Sequence, residues 1–240
     1  MIPKIIHYCW FGGKPIPKLE SRCMESWKKY LPGYQVMRWD ETTFDVNSVP
    51  FTKAAYEAHK YAYVADYVRL YALSNYGGVY LDTDIEVIKS MDELMLYEAV
   101  SGFETPNVIQ TGVMAFQQDN PILKAFLNIY HHIPFETDGK GNVKTKPNSA
   151  ILANLLVERG LKLDNTRQDI EGLAVFPQEY FCPIDQATRE QKVTSNTYCI
   201  HYLSGSWFSW KLRLINNTKL LIGRHLGYGV ISAIRKLIMK

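Results

Sequence analysis

YAYVADYVRLYALSNYGGVYLDTDIEV, residues 61–87, decides the fold. Residues 52–76 contain no Pro or Gly and are rich in Ala and Tyr, which reads as one helix or two short ones. Gly77–Gly78 supplies the stop. Residues 79–88, VYLDTDIEVI, then begin as an apolar strand and run into three acids, Asp82, Asp84 and Glu86. A helix followed at once by an apolar strand suggests an alternating α/β chain, in which ligands bind beyond the carboxyl ends of the strands.

The flanking sequence extends this pattern. KIIHYCWF, residues 4–11, lies between Pro3 and Gly12–Gly13 and reads as a buried strand ending in a turn. KLESRCMESWKKY, residues 18–30, places Leu19, Cys23, Ser26 and Trp27 on one side of a helix, and Pro32–Gly33 ends it. YQVMRWD, residues 34–40, alternates as a second strand. Strand, helix and strand in this order predict a βαβ unit with parallel pairing. AVSGFE (99–104) and VIQTGVMAF (108–116) read as two strands joined by a turn at Thr105–Pro106–Asn107. Helices are expected at 121–132 and 148–159, with FETDGKGNVKTKP (135–147) as a mobile polar loop between them. LAVFPQEYFCP (173–183) reads as a strand ending at Pro, and TYCIHYLSGSW (197–207) as a strand followed by a polar turn. No repeat, low-complexity tract or clear linker divides the chain, so one α/β domain is expected.

The 240 residues are 47% hydrophobic and 21% charged, a balance that suits a globular domain with a substantial core and excludes disorder, collagen and coiled coil as the main state. The longest apolar runs fall short of the roughly 18 residues a spanning helix needs. MIPKIIHYCWFGG reads as a first strand and not as an export signal. Cys9, Cys23, Cys182 and Cys199 form no CxxC pair and no metal-type spacing, which suggests buried free thiols in a reducing compartment. The net charge of +3 hides a split: residues 191–240 carry eight Lys or Arg and no acid, while the first 190 residues carry an excess of acids. A basic end on an acidic body fits an anionic partner as well as it fits a solvated tail.

Asp82–Thr83–Asp84 presents a physical problem. Two carboxylates at the end of an apolar strand are unfavourable to bury unless a cation neutralises them. Asp-x-Asp offers hard oxygen ligands suited to Mg²⁺ or Mn²⁺, and such a cation can bridge the phosphates of a nucleotide. A solvent-facing strand edge is the plainer alternative. An EF-hand is disfavoured because Val87 stands where its loop needs Gly. An aspartyl-phosphate phosphatase, with Asp82 as nucleophile, is disfavoured because Glu86 stands where its pattern wants Thr. Asp66 and Arg69, three apart on one helix face, read on their own as a surface ion pair, with a phosphate- or sugar-holding pair as the alternative.

Three segments together resemble the DXD-containing sugar transferases of glycosyltransferase family 32: IPKIIHYCWFGG (2–13), YAYVADYVRLYALSNYGGVYLDTDIEV (61–87) and IHYLSGSW (200–207). That family includes initiating α-mannosyltransferases and capsular-polysaccharide transferases. The resemblance covers the chain up to about Trp207. It implies a GT-A fold, with a Rossmann-like mixed sheet flanked by helices, in a catalytic domain over residues 1–210. It further implies a nucleotide-sugar donor, Mn²⁺ (or Mg²⁺) and retention of anomeric configuration. Carried over by position, Trp10 stacks on the donor base, and Asp66 and Arg69 hold the donor sugar and phosphates. Asp82 contacts ribose or metal, Asp84 ligates the metal, and His201 adds a metal or diphosphate contact. Ser206 and Trp207 close over the diphosphate. Taken alone, Trp10 and His201 also fit as core residues. Gln110 and Thr111 are weaker candidates for facing the sugar. The sequence departs from the family at Lys146–Pro147–Asn148, where many relatives carry a small-Gly-Pro element.

The expected activity is hexosyl transfer, with a UDP-sugar favoured as donor, to a hydroxyl of a surface polysaccharide or glycolipid. A non-catalytic nucleotide-sugar-binding subunit is the rival. Asp84→Ala is expected to leave the fold largely intact, on the premise that the acid is exposed at a strand end. Residues 211–240, with seven basic residues and many Leu and Ile, read as a helical extension that rests on an anionic membrane surface. The expected location is the cytoplasm, peripheral to the inner face of the membrane, with a glycan or lipid-linked acceptor and no nucleic acid partner.

Overall fold

The computed structural model describes residues 1–185 and 190–205. Strands β1 (Ile5–Cys9), β2 (Gln35–Trp39), β3 (Gly78–Leu81), β5 (Ala99–Thr105), β6 (Val108–Ile109), β7 (Val113–Phe116), β8 (Gln168–Ile170) and β9 (Leu173–Phe176) build the main sheet. Its order is β2-β1-β3-β7-β5-β9-β8, with β6 paired to β5. β1 runs parallel to both β2 and β3, and β5 parallel to β9; β7 is antiparallel to β3 and β5. The sheet is therefore mixed. β4 (Ile85–Val87) and β10 (Cys199–His201) form a separate antiparallel pair. The helices are α1 (Lys18–Tyr30), α2 (Pro50–Glu57), α3 (Tyr61–Tyr76), α4 (Pro121–His132) and α5 (Asn148–Val157).

The strands of the main sheet are buried on both faces, so they read as continuous apolar runs instead of alternating ones. Alternation survives in where each side chain goes. Ile6, Tyr8, Val79, Leu81, Val113 and Ala115 point into one core, with Trp27 of α1 and Ile85 of β4. Cys9, Tyr80, Met114 and Phe116 point into the other, with α2, α3, α4 and α5. The mixed α/β sheet flanked by helices is the architecture that residues 61–87 implied.

The helix expected over 52–76 is two helices, broken at His59 and Lys60, where His59 takes φ 55°. The turn after α3 needs both glycines: Gly77 has φ 62° and Gly78 φ 109°, and a Cβ on Gly78 would lie 2.6 Å from the Ile5 carbonyl oxygen. Buried His7 braces this turn: its Nε2 lies 2.8 Å from the Gly77 carbonyl oxygen, while its Nδ1 accepts from the Trp39 indole. Burial lowers the His7 pKa and keeps the ring neutral, which fits a proton on Nε2 donated to Gly77.

Three expected strands are shorter or split. Residues 79–88 divide at Asp82–Thr83–Asp84, so β3 and β4 belong to different sheets. Residues 108–116 divide at 110–112, and 173–183 turns into a short 3₁₀ segment after Pro177. The loop before α5 is more ordered in its bonding than a polar linker: Thr137 bridges Val143, and Asp138 accepts from the backbone of Lys140 and Asn142. All four cysteines are free and buried. Ser206, Trp207 and the extension 211–240 lie outside the described residues.

Candidate active site

The site forms where the carboxyl ends of β1 and β3 meet the beginning of β7. Asp82 leaves β3 with its backbone N–H on the Gly112 carbonyl at 2.8 Å, which fixes the corner where the chain departs for β4. Two residues later Asp84 sits at the mouth of β4, 8% exposed, and its backbone carbonyl accepts from Tyr202 N–H. β10 lies antiparallel to β4 and brings His201 opposite Ile85. The split between the two sheets is thus what gathers the acids and the histidine. Ligand atoms of Asp82, Asp84 and His201 all lie within 4.8 Å of one another.

Several observations test whether these residues fit a divalent cation. Nδ1 of His201 is buried without a hydrogen-bond partner among the described residues, which is unfavourable unless something else engages the ring. A Cβ on Gly112 would meet Asp82 Oδ2 at 2.7 Å and His201 Cε1 at 2.8 Å. Glycine there leaves the space between the two donors open. The donor set, two carboxylates and an imidazole, suits Mn²⁺. His201 Nε2 lies 3.4 Å from Asp84 Oδ1. Burial alone would raise the Asp84 pKa, but the His201 charge and hydrogen bonds from His201 and Ser204 hold it low. Burial alone would lower the His201 pKa, and the Asp84 carboxylate overrides it upward. The cluster therefore attracts positive charge, and a divalent cation would compete with the imidazole proton for it. The residues fit.

Beside this cluster, Arg69 is almost fully buried, and its guanidinium makes contacts on several sides. Nη2 pairs with Asp66 Oδ1 at 3.1 Å and with Asp82 Oδ1 at 3.4 Å, and Nη1 donates to the Thr111 carbonyl at 2.6 Å. The Tyr80 ring lies 4.5 Å beneath it, and the Tyr80 hydroxyl donates to Asp82 Oδ1 at 3.0 Å. Burial works against the Arg69 charge, and Asp82, Tyr80 and Asp66 outweigh it. The surface ion pair that spacing alone suggested is thus a buried pair joined to the DXD acid. Burial pushes the Asp66 carboxyl up to about 6 against the opposing pull of Arg69. Asn148 at the start of α5 lies between Tyr130, whose hydroxyl donates to its Oδ1 at 2.9 Å, and the Asp66 carbonyl.

Trp10 extends past β1 at the same sheet edge. Its indole N–H donates to the Lys14 carbonyl at 2.6 Å, and its ring is half-buried. The structure makes no hydrogen bond between Trp10 and the acid cluster, so it stands as a wall of the edge. Gln110 is fully buried with neither side-chain atom bonded among the described residues, whereas Thr111 serves Arg69 mainly through its carbonyl. Asp84 is not exposed at a strand end, which removes the premise for a harmless Asp84→Ala: its removal would strand buried His201.

Sequence reasoning did not find Tyr80, Gly112, Glu20 or Ser204. Gly112 had a signal, a lone glycine inside an apolar strand pattern, which marks close backbone approach. Tyr80 is masked by the apolar run it sits in.

Residues 17–101 match the family described as the glycosyltransferase sugar-binding region containing a DXD motif. The span includes Asp66, Arg69, Asp82 and Asp84, while Trp10, Gly112 and His201 lie outside it. The chain is 31% identical over 137 residues to inositol phosphoceramide mannosyltransferase 3 of Schizosaccharomyces pombe, covering 55% of this chain and 37% of that protein. It is 29% identical over 147 residues to the mannosyl phosphorylinositol ceramide synthase SUR1 of Saccharomyces cerevisiae, covering 57% and 38%. These matches span less than two fifths of either relative's length. Among solved structures, the PaToxG glycosyltransferase shares the fold with a TM-score of 0.50 and 18% identity over 65% of this chain and 69% of that one. The expected resemblance is borne out: residues 17–101 are a DXD-type glycosyltransferase region.

Proposed function

Starting from that family, we propose that the chain is a divalent-metal-dependent, retaining hexosyltransferase that uses a nucleoside-diphosphate sugar. The observation that carries this reading is the convergence of Asp82, Asp84 and His201 around the space left by Gly112, with Arg69 alongside. When bound, the cation neutralises charge that builds on the leaving diphosphate. Asp82 and Asp84 hold it, and His201 completes the donor set. Arg69 is held rigid by Asp66, Asp82 and the Thr111 carbonyl, so its charge is preorganised toward the same edge. Asp66 faces the donor sugar, and Trp10 offers a half-exposed ring to the base. We assign no general base.

A UDP-sugar is the favoured donor. The relatives named for inositol phosphoceramide mannosyl transfer support testing GDP-mannose beside it, with a glycolipid or glycan hydroxyl as acceptor. We also propose that the basic residues 211–240 hold the protein at an anionic membrane surface, on the cytoplasmic face, where a lipid-linked acceptor would sit. Purified protein with Mn²⁺ and a panel of UDP- and GDP-sugars tests the first reading. Release of the nucleoside diphosphate from at least one donor is expected, and inertness toward every donor contradicts it. Cosedimentation with anionic vesicles at low salt tests the second: binding is expected, and its absence sinks the proposal.

A further inference from the structure

Helix α1 approaches the acid cluster from the side opposite Arg69. It buttresses β4 at two points: the Trp27 indole N–H donates to the Ile85 carbonyl at 2.8 Å, and the Ser26 hydroxyl oxygen accepts from Val87 N–H at 2.8 Å. Its first turn carries Glu20. An acid in a first helical turn is usually explained by the helix dipole and is usually solvated. Glu20 is 2% exposed, and its Oε1 accepts the Ser204 hydroxyl at 2.9 Å. The backbone N–H of the same Ser204 donates to Asp84 Oδ2 at 2.7 Å. One serine therefore joins a helix acid to a DXD acid across the turn that follows β10.

That turn is conformationally unfavourable by itself. Leu203 has φ 51° and Gly205 φ 57°. A non-glycine residue in the left-handed region is unfavourable by roughly 1–2 kcal/mol and persists where its surroundings over-determine it. Here the bonds on both sides of Leu203 supply that constraint: Tyr202 N–H on the Asp84 carbonyl, and Ser204 on Asp84 and Glu20.

We propose that Glu20 is a positioning residue for the cation centre: through Ser204 it fixes the Asp84 carboxylate, committing one oxygen to the backbone and leaving the other beside His201. The inference rests on the reading of Asp82, Asp84 and His201 as a cation site. It makes cation affinity depend on α1, whose Glu20 has no place among the ligands.

The test is direct Mn²⁺ binding to the full chain, followed through the paramagnetic resonance signal of free Mn²⁺. Thermal unfolding in EDTA reports whether each variant folds. Glu20→Ala and Ser204→Ala are each expected to weaken Mn²⁺ binding by about tenfold, the lower end for groups that orient metal ligands. Glu20→Gln keeps an oxygen acceptor for the serine hydroxyl and is expected to recover most of the affinity. The double Ala variant is expected to be no weaker than either single one, because the two residues act as a unit. Wild-type affinity in both single Ala variants overturns this inference and leaves the cation reading standing. A defect in Glu20→Gln as deep as in Glu20→Ala, with Ser204→Ala unaffected, also overturns it. If Glu20→Ala does not fold, Ser204→Ala decides. Failure of the wild-type chain to bind Mn²⁺ overturns both readings.

Discussion

At the residue scale, Arg69 is the side chain whose identity the geometry constrains most. It meets Asp66, Asp82 and the Thr111 carbonyl at once and lies over the Tyr80 ring. Lysine carries the charge without the planar fork, so it can satisfy only part of this set. Arg69→Lys should lower kcat/KM for the donor by about 10–100-fold, the equivalent of one or two charged hydrogen bonds. Steady-state kinetics across donor concentrations checks this, and an unchanged kcat/KM removes Arg69 from the site. His7 gives a second expectation. Its folded pKa is depressed by burial, so below about pH 6.5 the unfolded chain takes up a proton that the folded chain resists. The stability contributed by neutral His7 is present above that pH and is lost as pH falls. Between pH 7 and 5, Tm should fall less steeply in His7→Gln than in the parent, and parallel slopes would contradict the assignment. Asp82, Asp84 and the Asp66–Arg69 spacing were legible in the sequence because they are charges in apolar surroundings. Tyr80 and Gly112 were not, because an aromatic and a glycine inside apolar strands look like ordinary packing.

At the element scale, the informative error is the strand expected over 79–88. Periodicity cannot show that residues 82–84 turn the chain out of the main sheet, since β3 and β4 are both apolar. Yet that corner sets Asp84 against His201, so what the sequence hid is the pairing of β4 with β10 across more than a hundred residues. α1 and α4 were legible to their ends, because Pro17 precedes one, Asn120 caps the other, and both carry an amphipathic pattern. The 110–112 break between β6 and β7 supplies the open space at the cluster. Gly112→Ala should leave the EDTA-treated protein folded and weaken Mn²⁺ binding by at least tenfold, because its Cβ would press on Asp82 and His201. Calorimetric titration with Mn²⁺ measures this, and parent-like affinity would show that the space is not used.

At the scale of the molecule, two cores on opposite faces of one sheet make a rigid frame, and the site occupies its edge where the two sheets part. The α/β class was legible from the order of apolar runs; the mixed strand directions were not, because antiparallel β7 inserts between β3 and β5 through contacts that leave no local signal. Ligands that bind only the folded state stabilise it by mass action. Mn²⁺ together with a nucleoside diphosphate at about a hundred times its Kd should add about 2.7 kcal/mol and raise Tm by roughly 5–10 °C. No shift with any uridine or guanosine diphosphate would count against a donor site. The most direct test is the Mn²⁺ dependence of donor turnover in metal-stripped protein, compared between the parent chain and His201→Ala. The expected result is no turnover in EDTA, saturable recovery with Mn²⁺, and a half-saturating concentration at least tenfold higher in His201→Ala. Turnover that persists undiminished in EDTA would contradict the account.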